Sequence, residues 1–168
     1  GTSKLAVLKI LHQKHIDNGK ERRRLRSEAA LMLRLGHHEN IVKAVRTGWA
    51  GKLPYIVLEY VNGRTLREML VDRKKLNDLD VVRLAFGLAQ GLRFLHNSDL
   101  CHKDLKPDNI VIEAPFTPKI LDFGFSATIR HWLFAWMFRG SLEGSLPYMA
   151  PELFKTKIGT AQSDLYAL

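Results

Sequence analysis

The sequence predicts an α+β fold, with a small sheet and one helix over residues 1–61 and a mainly helical part over residues 62–168. Three observations predict it. Before Asn62-Gly63 the apolar residues fall into short strand-like runs around one segment of helical spacing. After that dipeptide, helical periodicity dominates. The 168 residues, 46% of them hydrophobic, supply one core and are too few for two well-developed ones, so both parts are expected to share one compact unit.

The elements follow in order. Residues 5–11, LAVLKIL, form an apolar run interrupted only by Lys9, which reads as a strand buried on at least one face. From Glu21 to Leu35, Leu25, Ala29, Met32 and Leu33 recur at helical spacing with Glu28 among them, and the pattern stops before Gly36 after about four turns. Ile41–Val45 and Tyr55–Val61 read as strands separated by the turn-rich TGWAGK. Thr65–Val71 and Asp80–His96 read as helices, the second capped by Asn77 or Asp78. Asn109–Ile112 and Lys119–Leu121 are short strands around the Pro-bearing turn EAPFTP.

Composition excludes some classes of function. The longest apolar run, Trp132–Phe138, is far short of the roughly 20 residues of a membrane-spanning helix, and no charged-then-apolar leader opens the sequence. A lone cysteine, Cys101, permits neither an internal disulfide nor a cysteine-built zinc site. The expectation is a soluble intracellular chain, cytoplasmic or nuclear. The formal charge of +9 owes much to Lys20, Arg22, Arg23, Arg24 and Arg26. With no recognised nucleic-acid module beside them, they read as the solvated face of a helix, and nucleic acid is not an expected partner.

The strongest chemical signal is HKDLKPDN at 102–109 followed by DFG at 122–124. Phosphoryl transfer from a nucleotide needs a carboxylate to orient the attacking hydroxyl and take its proton, and oxygen ligands for magnesium. Asp104 suits the first part, and Asn109 and Asp122 suit the second. Lys106 sets a positive charge beside the phosphate in transit.

With these residues the chain resembles the eukaryotic-type protein kinase catalytic domain, serine/threonine class. The resemblance implies a two-lobed fold, residues 1–61 being the N-lobe portion with the hinge and 62–168 the C-lobe portion. It implies ATP and Mg2+ as cofactors and a protein substrate. Lys9 in AVLK matches the strand lysine that contacts the α- and β-phosphates, and Glu28 its helix partner. VLEYV at 57–61 looks like the hinge, where backbone groups of Glu59 and Val61 hydrogen-bond adenine behind a gatekeeper at Leu58. Val7 and Val111 also match positions around the nucleotide. GSLPYMAPE at 144–152 is similar to the substrate loop, through Ser145 and Tyr148, and to the closing APE motif. Asp164 resembles the buried aspartate that anchors the catalytic loop, and His102 the residue that packs on Phe123. Cys101 reads as buried filler, and Met32 as part of the apolar column behind the site. His37 and His38 read as a turn rather than metal ligands.

Departures from the family pattern set further expectations. The chain begins eight residues before Lys9, without a glycine-rich loop, and ends four residues after Asp164. A domain truncated at both ends is therefore expected, inactive as this stretch alone, with Glu152 lacking its arginine partner. Lys103 replaces the arginine of HRD and loses its planar fork. Val7 replaces an alanine, which implies a tighter adenine pocket. The segment HWLFAWMF at 131–138 is apolar where the family is polar, and is expected to be covered within the fold, with protein docking as the alternative. Ser141, four residues before Ser145, is a candidate phosphosite facing Lys103 and Arg139. Lys106 in DLKPDN and Ser145 match the serine/threonine pattern. The rival functions are a non-catalytic kinase-like scaffold and a small-molecule phosphotransferase. Intact Lys9, Glu28, Asp104, Asn109 and Asp122 oppose the first, and LKPDN with APE opposes the second.

Overall fold

The computed structural model of the protein describes residues 5–51, 53–72, 76–122, 127–128, 145–156 and 159–168. Strands β1 (Ala6–Ile10), β2 (Ala44–Ala50) and β3 (Leu53–Glu59) form an antiparallel sheet in the order β1-β3-β2. Lys9 lies opposite Ile56, whose side chain is fully buried. Helix α1 (Gly19–Leu35) packs against this sheet through Leu25, Glu28, Ala29 and Met32, the face that a 3.6-residue repeat brings together. The Asn18 side chain caps it by accepting from the Lys20 and Glu21 N–H groups, so the helix starts two residues before the expected Glu21. It ends at Gly36, whose φ of 73° suits a residue without Cβ.

One strand lies elsewhere than the sequence suggests. The expected strand Ile41–Val45 and turn TGWAGK are replaced by a strand running through Thr47, Gly48, Trp49 and Ala50. The reversal comes at Gly51, with φ of 60°, between the paired residues Ala50 and Leu53. Gly48 belongs in the strand because Tyr55 crosses over it: a Cβ there would collide with the Tyr55 hydroxyl. Ile41 and Val42 serve a different contact. Val42 N–H donates to Ile120 O at 3.0 Å and Ile120 N–H to Asn40 O at 2.9 Å, which seams the small sheet's leading segment to the helical part. β3 likewise ends at Glu59 rather than Val61, because Val61 O accepts Gly63 N–H at 3.0 Å in a tight turn.

Past that turn, β4 (Gly63–Thr65) leads into α2 (Leu66–Val71) and then α3 (Asp78–Asn97). Capping boxes open both helices, Thr65 with Glu68 and Asn77 with Asp80. β5 (Leu100–Cys101) precedes a hairpin of β6 (Ile110–Glu113) and β7 (Thr117–Ile120), and β4 joins that hairpin in the order β4-β6-β7. β8 (Ala127–Thr128) pairs with β5. Helices α4 (Pro151–Thr156) and α5 (Ala161–Tyr166) close the described chain. The strands β4, β5 and β8, of two or three residues each, are too short to leave a periodic trace.

The core runs from Leu25 and Met32 through Ile56 and Ile41 to Leu88, Leu92, Leu95, Leu105 and Ile120. Each such fully buried aliphatic side chain contributes roughly 1.5–3 kcal/mol relative to exposure. Gly87 sets how closely α3 lies on β7, since a Cβ there would sit 2.5 Å from Pro118 Cγ. Among the described residues no helix is long and apolar enough to cross a membrane. The α+β expectation holds.

Candidate active site

Lys9 is the odd residue of β1, and the fold supplies two carboxylates for it. Its Nζ lies 2.6 Å from Glu28 Oε1 and 2.5 Å from Asp122 Oδ1. Glu28 sits on the buried face of α1, where an unpaired carboxylate would be costly. Burial pulls the Lys9 ammonium down, but Glu28 and then Asp122 outweigh it and hold its pKa above the ordinary lysine value. Three segments far apart in sequence thereby meet at one ammonium.

The loop after β5 is anchored from below by Asp164 in α5, whose side chain is only 1% exposed. Its Oδ2 accepts His102 N–H at 2.8 Å and faces His96 Nε2 at 2.9 Å, and its Oδ1 accepts Lys103 N–H at 2.8 Å. These bonds hold Lys103 at φ of 69°, a left-handed conformation that non-glycine residues seldom adopt. His102 is wholly buried. Its Nδ1 accepts Asp104 N–H at 3.3 Å, so Nε2 carries the proton given to Leu121 O at 2.8 Å. The ring thus ties the loop to the residue before Asp122, which is structural work rather than acid–base chemistry.

On this frame sits a polar cluster. Asp104 Oδ1 accepts Ser145 N–H at 2.8 Å, and Oδ2 lies 2.9 Å from Lys106 Nζ. Asn109 Nδ2 donates to Asp104 O at 2.8 Å and to Oδ2 at 3.2 Å, which commits the Asn109 amide nitrogen and leaves its oxygen to other partners. Lys106 Nζ also donates to Ser145 Oγ at 2.7 Å. A carboxylate, an ammonium and a hydroxyl therefore form a closed group beside a second carboxylate, Asp122.

Next to this cluster a cavity of about 530 Å³ opens between the small sheet and the β6–β7 hairpin. Val7, Lys9, Leu58, Glu59, Val61, Val111, Asn109 and Asp122 line it, together with Leu121 and Val42, which the sequence reading did not single out. Nothing in a single sequence marks Val42 for this place, whereas Leu121 could have been found as the apolar neighbour of Asp122. His96, on Asp164, was missed as well, since no local pattern relates the end of α3 to α5. Tyr148 lines a small pocket with Asp104 and Ser145, and its hydroxyl accepts a bond from the Arg67 guanidinium at 3.1 Å.

Cys101 is fully buried, and burial, then Asp164, push its thiol up to about 12. Met32 is buried on the same face as Glu28. His38 stacks on Phe94, and its Nδ1 accepts Asn40 N–H at 3.1 Å. Lys20, Arg23 and Arg26 are exposed, with the Arg26 guanidinium 5.3 Å from the centre of the Trp49 ring. Glu152, expected to lack a partner, makes a polar contact within the chain. Phe123, residues 131–138, Arg139 and Ser141 lie outside the described residues.

Comparison with known proteins adds an independent line. A family model for the protein kinase domain matches residues 1–168. The chain is 32% identical over 167 residues to the serine/threonine-protein kinase PrkC of Bacillus subtilis, covering 96% of this chain and 24% of that protein. It is 33% identical over 151 residues to the serine/threonine-protein kinase PknB of Mycobacterium leprae, covering 88% and 23%. A probable serine/threonine-protein kinase PknB of Corynebacterium glutamicum is 32% identical over 150 residues, covering 87% and 23%. The chain spans about a quarter of the length of these relatives.

Proposed function

The chain belongs to the protein kinase domain family, and on that premise we propose that the protein transfers the γ-phosphate of ATP to serine or threonine hydroxyls of protein substrates. The observation that carries this reading is the closed group Asp104–Lys106–Asn109–Ser145 beside Asp122 and the Lys9–Glu28 pair. A scaffold has no need of a buried carboxylate held this way next to an ammonium and a nucleotide-sized cavity.

The site fits the substrate and the metal. Val7 and Val111 give the cavity apolar lining for a purine, and Glu59 and Val61 line it as well, with backbone groups for the purine edge. Lys9 offers its ammonium to the phosphates. Asp122 and the side-chain oxygen of Asn109 are hard oxygen donors lining the cavity, which suits Mg2+, an ion bound by one or two carboxylates together with substrate phosphates. When bound, the ion neutralises charge on the phosphates.

The reaction then follows from the side chains. The substrate hydroxyl oxygen bonds to the γ-phosphorus while the bond from that phosphorus to the β–γ bridging oxygen breaks, leaving ADP. Asp104 orients the hydroxyl and takes its proton. Lys106, already 2.9 Å from Asp104, stands where it meets the charge of the phosphoryl group in transit. Ser145, bonded to both, places the substrate loop against the reacting centre.

The test is transfer from γ-labelled ATP by the full-length protein with a mixed peptide library, followed by phosphoamino-acid analysis. Magnesium-dependent label on serine or threonine is expected. Label confined to small molecules, or nucleotide binding without any transfer, would overturn the proposal.

A further inference from the structure

Lys119 entered the sequence reading only as the start of a strand, yet it is a cation at 7% exposure. Its Nζ lies 3.0 Å from Glu59 Oε1 and 3.9 Å from Glu113 Oε2. The same Glu59 oxygen accepts Lys43 N–H at 3.0 Å, and Glu59 N–H donates to Lys43 O at 3.0 Å. Glu59 is therefore gripped from two directions, by the backbone before β2 and by an ammonium from β7. In the β6–β7 register Lys119 stands opposite Val111, which lines the cavity, and it precedes Asp122 by three residues.

An apolar side chain at this position would avoid the desolvation cost of a buried charge, and replacing buried ion pairs by apolar groups is often neutral or stabilising. Fold stability alone thus gives no reason for this pair. What the pair adds is location: it couples the hinge residue Glu59 to the hairpin whose Val111 lines the same cavity. Resting on the kinase reading above, we infer that Lys119 is a positioning residue for purine recognition. By clamping the Glu59 side chain it fixes the backbone of Glu59 and Val61 at one spacing against the purine edge. A rigid edge also discriminates, because adenine and guanine present different donors and acceptors there, and a site built for one pattern rejects the other by leaving polar groups unpaired.

The experiment measures Mg·ADP and Mg·GDP binding by titration calorimetry, and steady-state kinetics, on the full-length protein. Lys119→Met should raise the ADP Kd about tenfold, equivalent to about 1.4 kcal/mol, shrink the ADP-over-GDP preference, and leave kcat at saturating ATP within about twofold. Lys119→Arg should recover most of both. Glu59→Gln should show the same loss, and combining it with Lys119→Met should add little more. If Lys119→Met does not fold, Glu59→Gln and Lys119→Arg carry the test, since the Glu59 side chain is 28% exposed and tolerates an isostere. Wild-type ADP affinity and purine preference in the folded variants, with normal binding by the wild type, overturn the inference and leave the kinase reading standing. A wild type that binds neither nucleotide brings down both.

Discussion

Replacing Asp164 by asparagine tests the frame of the site at nearly constant shape. The aspartate is 1% exposed and serves His102 N–H, Lys103 N–H and His96. An asparagine offers one acceptor oxygen instead of two, so if that oxygen keeps Lys103 N–H, the amide nitrogen faces His102 N–H. His96 can adapt by exchanging tautomers, but a buried backbone N–H facing another donor cannot. Leaving one such group unsatisfied costs about 1–3 kcal/mol, and loss of charge assistance on the other bond adds about 1 kcal/mol. The sum, about 2–4 kcal/mol, corresponds to a Tm lower by roughly 5–15 °C for a domain of this size. With the His102 bond lost and the Lys103 bond weakened, the loop that holds Lys103 at φ of 69° loosens, so Asp104 should shift and kcat should fall at least about tenfold. Far-UV circular dichroism melts of the full-length protein, with kcat measured in parallel, supply both readings. A Tm within about 2 °C of wild type together with unchanged kcat would refute the anchoring role.

Three further predictions follow from the same geometry. If Asp122 holds the metal as proposed, Asp122→Asn should lower phosphoryl transfer by at least roughly 100-fold, read as initial rate at saturating Mg2+, because that charged ligand and a partner of Lys9 are lost together. The Cys101 thiol, with an ordinary pKa of 9.0 and a folded value pushed up to about 12, keeps its proton where the unfolded chain has lost it. Its contribution to stability is therefore full below pH 9.0 and is lost as pH rises toward about 12, so Cys101→Ala should flatten the decline of stability across that window in pH-dependent denaturation curves. Finally, if a phosphate on Ser141 orders the substrate loop, phosphatase treatment should lower wild-type activity, Ser141→Ala should be insensitive to it, and Lys103→Arg should enlarge the response through its planar fork; equal activity before and after treatment in all three would dispose of the switch.

Much of the polar cluster was legible because HKDLKPDN packs its chemistry into eight residues, and the single turn at Pro107–Asn109 folds Asn109 back onto Asp104. Lys9 and Glu28 were legible for another reason: a charge inside an apolar run, and a carboxylate on the buried stripe of a helix, each need a partner. The misplaced second strand shows where periodicity stops helping. Ile41 and Val42 are apolar because they form the seam to Ile120, whereas β2 carries exposed Val45 and Trp49 and admits Gly48 only because of Tyr55 across the sheet. Pairs such as Glu59 with Lys119 and His96 with Asp164 join residues 60 and 68 positions apart. Tertiary closure makes them, and no local spacing announces them.

Whether Asp104 takes the proton of a serine or threonine hydroxyl during transfer is decided by single-turnover transfer to peptide by Asp104→Asn in the full-length protein, with Mg·ADP affinity determined alongside. Asparagine keeps an acceptor for Ser145 N–H but is no base. A general base at Asp104 requires a transfer rate lower by about 10²–10⁴-fold in this variant, with ADP affinity within about threefold of wild type. Transfer at the wild-type rate by this variant would contradict it.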